Sequence, residues 1–210
     1  NYEYQLMAAR GYGVFYMNFR GSKGYGEKFS RAIVGDRGGA EFRDIMLGAD
    51  MLETVPWVDA NRMYVTGGSF GGYETNWIVT QTNRFRAAVT QRSCSNIYSK
   101  IGTADNGFYH NVAYMAADLW DGEDFLMSRS PIRFAPQVET PILIVHSDQD
   151  LRLPLEQAEQ WYTALKRLGK TEVELVLFHG ENHDLSRTGK PSNRMERLER
   201  IIGWFDRHSL

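Results

Sequence analysis

What most constrains this chain is an alternation of two periods. Short apolar runs fit for strands are separated by stretches of helical spacing. "RMYVTG" (62–67) reads as a strand, "GGYETNWIVTQT" (71–82) as an amphipathic helix and "FRAAVTQ" (85–91) as the next strand. "TPILIVHS" (140–147) and "EVELVLF" (172–178) are strands on either side of "PLEQAEQWYTALKRLG" (154–169), which opens with proline and closes on glycine as helices often do. "SNRMERLERIIGWFDRH" (192–208) is an amphipathic closing helix. Upstream, "YGVFYMNF" (12–19) reads as a buried strand, and 40–55 places Phe42, Ile45, Met46, Ala49 and Leu52 at helical intervals. Strands alternating with helices of this length predict an α/β fold: a mostly parallel sheet with helices on both faces. The region 92–139, rich in Tyr, Asn, Gly and Asp, breaks the rhythm and reads as short helices and loops.

Composition narrows the class. A hydrophobic share of 42% over 210 residues suits one compact domain with a sizeable core. The net charge of −2 offers no basic excess for nucleic acid and no polybasic run for an anionic membrane. Apolar runs such as "PILIV" (141–145) are far too short to span a bilayer. Cys94 is the only cysteine, which excludes an intrachain disulfide and fits a reducing, cytoplasmic compartment; it reads as a small half-buried residue. No HExxH motif or paired Cys/His spacing supports a metal site, and "RGSKGYG" lacks the ending of a phosphate-binding loop. The first residues, "YEYQLMAARG", already read as a helix ending at Gly11, so a piece of a longer protein is expected.

The chemistry centres on "VTGGSFGGYE" (65–74). A G-x-S-x-G run between a strand and a helix makes a sharp turn, flanked by small residues, that holds its serine in a strained and exposed position. Gly67 and Gly71 supply the small residues, and Ser69 is the candidate nucleophile. A serine hydroxyl needs a histidine base, and the histidine needs an acid to fix its tautomer. In such sheets these groups gather in loops after the strands. Asp148 and Asp150 compete after 140–147, and His179 and His183 compete after 172–178. The order Ser69, Asp150, His183 fits, with each residue in a loop after a predicted strand. His146 and His179 read as structural, while His110 and His208 have no loop position that would deliver them to Ser69.

Taken together, "NFRGSKGYGEKF", "WVDANRMYVTGGSFGGYETNWIVTQTNRFRAAVTQRS", "SPIRFAPQVETPILIVHSDQDLRLP" and "HGENHDLSRTGKP" resemble the catalytic domain of the prolyl oligopeptidase family of serine peptidases. The similarity is nearest its acylaminoacyl-peptidase and dipeptidyl-peptidase-like branch. The resemblance implies an α/β-hydrolase fold whose opening strands, "HGGP"-type turn and N-terminal β-propeller lie outside residues 1–210. It implies Ser69 as nucleophile, selects Asp150 over Asp148 as the acid and makes His183 the base. The oxyanion would be held by the N–H of Phe70 and the hydroxyl of Tyr25, from the "RGSKGYG" loop. Arg152 matches a position near the substrate, where it would either contact a substrate carbonyl or carboxylate or salt-bridge locally. Arg92 and Tyr73 are further candidates for substrate binding, and the segment from Arg92 to Tyr109 is expected to shape the pocket for the residue before the cleaved bond. No cofactor is implied. The expected partners are a short peptide substrate and the propeller of the same protein, with a homo-oligomer also compatible. Glu74 stands where an apolar residue is usual in the family. The implied activity is hydrolysis of short peptides through an acyl-enzyme. A carboxylesterase on the same fold is the alternative, and a non-enzymatic binding domain is a more distant rival, because such a domain has no need of all three groups.

Overall fold

The computed structural model describes residues 2–209, apart from the side chains of residues 110–113. Strands β1 (Tyr64–Gly68), β2 (Ala87–Gln91), β3 (Ile142–Ser147) and β4 (Val173–Phe178) form one parallel sheet in the order β1-β2-β3-β4. The register sets Gly68 beside Gln91, Gln91 beside Val145, and Ser147 beside Phe178. All four carboxyl ends therefore finish along one edge, and the loops that follow β1, β3 and β4 leave from that edge.

The helices are α1 (Tyr2–Ala9), α2 (Glu27–Ser30), α3 (Ala40–Glu53), α4 (Phe70–Gln81), α5 (Ile97–Thr103), α6 (Gly107–Met115), α7 (Glu123–Ser128), α8 (Glu156–Leu168), α9 (Leu185–Thr188) and α10 (Pro191–Arg207). The two-residue period of the strands divides their side chains between two layers. Ala87, Val89, Leu143 and Val145 face Ile201, Ile202, Trp204 and Phe205 of α10 and Met7 of α1. The alternate residues Ala88, Ile142 and Ile144 face Val79 of α4 and Trp161 and Leu165 of α8. With both faces covered, the central strands β2 and β3 are buried at every position, as a buried parallel sheet requires. A polar clamp ties the layers together at the end of β2. Arg197 on α10 donates to Glu3 on α1 at 2.7 and 2.8 Å and to the Gln91 side-chain oxygen at 3.0 Å.

Most sequence expectations land within a turn of the observed element. The helix expected over 154–169 ends with Gly169 in the left-handed conformation at φ 62°. Two expectations need correction. Residues 12–19 form no strand: the segment alternates between half-buried and exposed, and Tyr12 and Val14 pack against the first layer without joining the ladder. Apolar, aromatic composition makes a segment able to be a strand, but a strand also needs a hydrogen-bonding neighbour, and the four-stranded sheet ends at β1. Helix α4 is not amphipathic, because every residue from Gly72 to Thr80 is buried. Several of its polar groups find partners inside the protein. Thr75 donates to the Gly71 carbonyl at 2.9 Å, and Asn76 donates to Ser93 Oγ at 3.0 Å and to the Cys94 carbonyl at 3.1 Å.

Glu74 is the one charged residue on that helix. It is 3% exposed, and no donor among the described residues reaches either of its carboxyl oxygens. It faces Glu41 of α3, which is fully buried and takes the Gly38 N–H at 2.7 Å. Burial, and then the charge of Glu41, push Glu74 well above the usual carboxylate range. Burial raises Glu41 too, but the Gly38 N–H favours its charged form and Glu74 has no such donor, so the proton of the pair sits on Glu74. Unfolding releases that proton at any pH above the free glutamate value of about 4.3. The folded state thus loses stability as pH rises from there towards the elevated folded-state value. Glu74→Gln, which keeps the shape and needs no proton, is expected to melt at a higher temperature than the parent at pH 8, by roughly 2–4 °C for each kcal/mol gained. The gap should shrink towards pH 5, and a gap that stayed constant with pH would place the proton elsewhere.

Candidate active site

The site starts from the turn between β1 and α4. Ser69 has φ 63° and ψ −116°, a backbone conformation that side chains rarely tolerate. The turn is tight because Gly67 lies against the helix that follows: a Cβ on Gly67 would sit 2.3 Å from the Gly71 carbonyl oxygen. Gly71 itself has open space where its Cβ would be. The second crowded glycine is Gly72, whose Cβ would meet the Gln91 carbonyl oxygen at 2.6 Å and Ser93 Cβ at 2.7 Å. The sequence pattern pairs Gly67 with Gly71, whereas the sterics pair Gly67 with Gly72. Phe70 is the first residue of α4, so its N–H has no carbonyl to meet within the helix and is free for an anion at the elbow.

Loops from the same sheet edge bring the other groups to Ser69. His183 Nε2 lies 2.9 Å from Ser69 Oγ, and His183 Nδ1 lies 2.7 Å from Asp150 Oδ2. Asp150 is 2% exposed, and its second oxygen accepts the N–H groups of Arg152 at 3.0 Å and Leu153 at 2.9 Å. These bonds fix the carboxylate in place. The rival Asp148 is turned outward, where it accepts from His179 Nδ1 at 3.0 Å and from the Gly180 N–H at 2.8 Å. His146 is fully enclosed and donates from Nε2 to the Leu153 carbonyl at 2.8 Å, which holds the loop behind Asp150. His208 bonds the Trp204 carbonyl and Glu172 at the far end of α10. The His110 side chain lies outside the described residues. A hydroxyl, imidazole and carboxylate linked in this order can move a proton from the serine while the carboxylate holds the ring.

The remaining candidates divide. Arg92 has φ 38° and turns its guanidinium away from the main cavity: Nη1 donates to the His183 carbonyl at 3.2 Å and to Ser186 Oγ at 3.4 Å. The group also packs over Gly68, so it braces the histidine loop against the elbow instead of touching substrate. Tyr73 lines the cavity with its ring, but its hydroxyl is committed to the Arg129 carbonyl at 2.9 Å. Tyr25 is 57% exposed, accepts a hydrogen bond from Asn18 at 2.9 Å and lies tilted against the Phe29 ring; it is not among the residues lining the cavity. The family resemblance places Tyr25 at the oxyanion, whereas here the glycine-rich loop carries it towards solvent. Arg152 stands at the cavity wall in a local ion pair, with Nε 2.7 Å and Nη2 3.2 Å from the Asp105 carboxylate.

Ser69 and His183 open onto a cavity of about 430 Å³. Cys94, Ile97, Lys100 and Asn106 of the 92–109 segment line it. Burial pushes the Cys94 thiol up to about 11, so it is protonated at neutral pH and acts as a small apolar group. Burial pulls the Lys100 ammonium below the usual lysine range. Arg37 lies over the rings of Phe70 and Tyr73, with its guanidinium carbon 4.7 Å from each centroid. Sequence reading missed Arg37, Lys100 and Asn106. For Lys100 a signal existed, since it lies one helical turn from Ile97 on the same face. Among the described residues no group of acidic, histidine or cysteine side chains is arranged to hold a metal ion.

The sequence matches the prolyl oligopeptidase family over residues 1–210. A protein of Bacillus subtilis (strain 168), named as the uncharacterized peptidase YuxL, is 49% identical over 208 residues, covering 99% of this chain and 32% of that protein. Dipeptidyl-peptidase 5 of Porphyromonas gingivalis is 28% identical over 208 residues, covering 97% of this chain and 30% of that protein. The uncomplexed acylaminoacyl peptidase of Pyrococcus horikoshii has the same fold at a TM-score of 0.95 and 35% identity, over 100% of this chain and 34% of that one. The chain thus spans about a third of the length of these relatives.

The sterics of the turn give a direct expectation for labelling by a fluorophosphonate, which reports an assembled serine and histidine. Gly67→Ala must displace the Gly71 backbone, and labelling should fall by about a hundredfold or more, as misplacement by about 1 Å does. Gly71→Ala meets nothing and should label at a rate close to that of the parent. Intact mass spectrometry over a time course measures both, and equal rates for the two variants would show that the turn yields.

Proposed function

The chain belongs to the prolyl oligopeptidase family, and from that premise we propose that it is the catalytic domain of a longer serine peptidase that hydrolyses short peptides. The reading rests on one observation above all: the unbroken hydrogen-bond chain from Ser69 through His183 to Asp150 at the mouth of a cavity. Ser69 Oγ attacks the carbonyl carbon of the substrate while His183 Nε2 takes its proton. Asp150 holds the Nδ1–H of the imidazole and stabilises the imidazolium that forms. The Phe70 N–H, at the positive end of α4, faces the developing oxyanion. The imidazolium then gives its proton to the leaving amine, and water repeats the sequence to release the acid from the serine ester. The names of the relatives point to acylated or free peptide N-termini as the substrate ends. The propeller expected outside these residues would control access to the cavity. No helix among the described residues is long and apolar enough to cross a membrane, and the lone, buried Cys94 suits a cytoplasmic setting.

The test uses the full-length protein that carries this chain. A fluorophosphonate should add one adduct, absent in Ser69→Ala, and His183→Ala should lower turnover of an acyl-peptide anilide by at least about a thousandfold. A matched ester of the same acyl group separates the two hydrolase readings: turnover of the ester with the anilide untouched would make the protein an esterase. An intact Ser69 after prolonged labelling would remove both readings.

A further inference from the structure

The cavity beside Ser69 is walled by three cationic side chains, Arg37, Lys100 and Arg152, and by no aspartate or glutamate among its described lining residues. Each cation is held differently. Arg152 is half exposed and bridged from outside the lining by Asp105. Arg37 lies over Phe70 and Tyr73, and its charge is felt by Glu41 and Glu74. Lys100 is 5% exposed, and its Nζ donates to the side-chain oxygen of Asn106 at 3.3 Å; Asn106 is 6% exposed. Both stand beside Cys94 and Ile97 in a wall that is otherwise apolar.

A buried lysine and asparagine are poor partners for an apolar side chain, which offers nothing to offset their loss of water. A carboxylate does offset it, because charge-assisted hydrogen bonds gain strength where water is excluded. The position of the wall says which part of the substrate it meets. Phe70 supplies the N–H at the elbow, and its ring belongs to the same buried cluster as Cys94, Ile97 and Tyr73, so this wall flanks the carbonyl under attack. We propose that the cavity selects a substrate carboxylate, that of a glutamate or aspartate on the acyl side of the cleaved bond, with Lys100 and Asn106 as its recognition pair. The inference rests on the serine peptidase reading of the same site. The same cations could instead hold the free C-terminal carboxylate of the departing peptide, and the test separates these two sources.

The full-length protein is assayed with N-acetyl-alanyl-X anilides in which X is Glu, Gln, Leu or Lys. It is also assayed with a pair of N-acetylated pentapeptides that differ only in a free or amidated C-terminus. Glu should exceed Gln in kcat/KM by about tenfold or more, the equivalent of ~1.4 kcal/mol, with Lys slowest. The free and amidated peptides should be cut alike. Lys100→Met should bring the Glu to Gln ratio close to one, and Lys100→Arg should keep part of it. Should Lys100→Met fail to fold, the parent protein gives the same information: N-acetyl-alanyl-glutamate methylamide should protect Ser69 from the fluorophosphonate at lower concentration than the glutamine analogue. Gln cut as fast as Glu, or a ratio that survives Lys100→Met, overturns the inference. A preference for the free C-terminus overturns the acyl-side assignment. These failures leave Ser69 labelled and the peptidase reading intact, whereas absence of labelling removes that reading and this inference together.

Discussion

The site depends on one close approach. Gly67 must pass the backbone of Gly71 with no room for a Cβ, and that passage turns the chain from β1 into α4 within a single residue. Ser69 pays for the turn with its positive φ, and in return its hydroxyl stands clear of both elements. The strain persists because both sides of the turn are anchored. The Ser69 N–H bonds the Gln91 carbonyl on β2, and the Ser69 carbonyl accepts from the Tyr73 N–H inside α4. A helix buried from Gly72 to Thr80 cannot shift to relieve a strained residue at its start.

The second constraint is the shared edge of the parallel sheet. Because all four strands run the same way and in register, the loops bearing Ser69, Asp150 and His183 leave from the same edge of the sheet. Distance along the chain then ceases to matter, and residues separated by 114 positions meet at 2.9 Å. The loops are also tied to each other. The Gln149 N–H donates to the Glu181 carbonyl at 3.0 Å, and Arg92 reaches the His183 carbonyl from behind. Preorganisation of this kind is what acyl transfer requires, since groups that are already in place need no reorganisation when charge develops.

Charge is distributed unevenly around the nucleophile. The carboxylates nearest the cavity are committed elsewhere: Asp150 to His183 and the Arg152 and Leu153 N–H groups, Asp105 to Arg152, and Glu41 to the Gly38 N–H. The side facing substrate is left with cations and aromatic rings. An environment of that sign raises the local concentration of anionic groups and lowers that of cationic ones.

By itself the sequence determined the alternation of strand and helix, the elbow serine and the order of acid and base. All three are local or periodic signals: a two-residue or helical repeat, a glycine-serine-glycine turn, and polar loops directly after apolar runs. The same local signals misled where a tertiary neighbour decides the outcome. Residues 12–19 have the composition of a strand but no ladder to join among the described residues, and α4 carries polar residues that look like a solvated face yet are buried, with Asn76 donating to Ser93 and Cys94. The family resemblance alone places Tyr25 at the oxyanion, and Arg92 sits in the segment expected to shape the pocket. Only the packed structure turns the first outward and the second behind the histidine. The cationic wall of Arg37, Lys100 and Arg152 likewise belongs to the tertiary structure, because its members come from three separate segments and acquire a common function only when the fold sets them around one cavity.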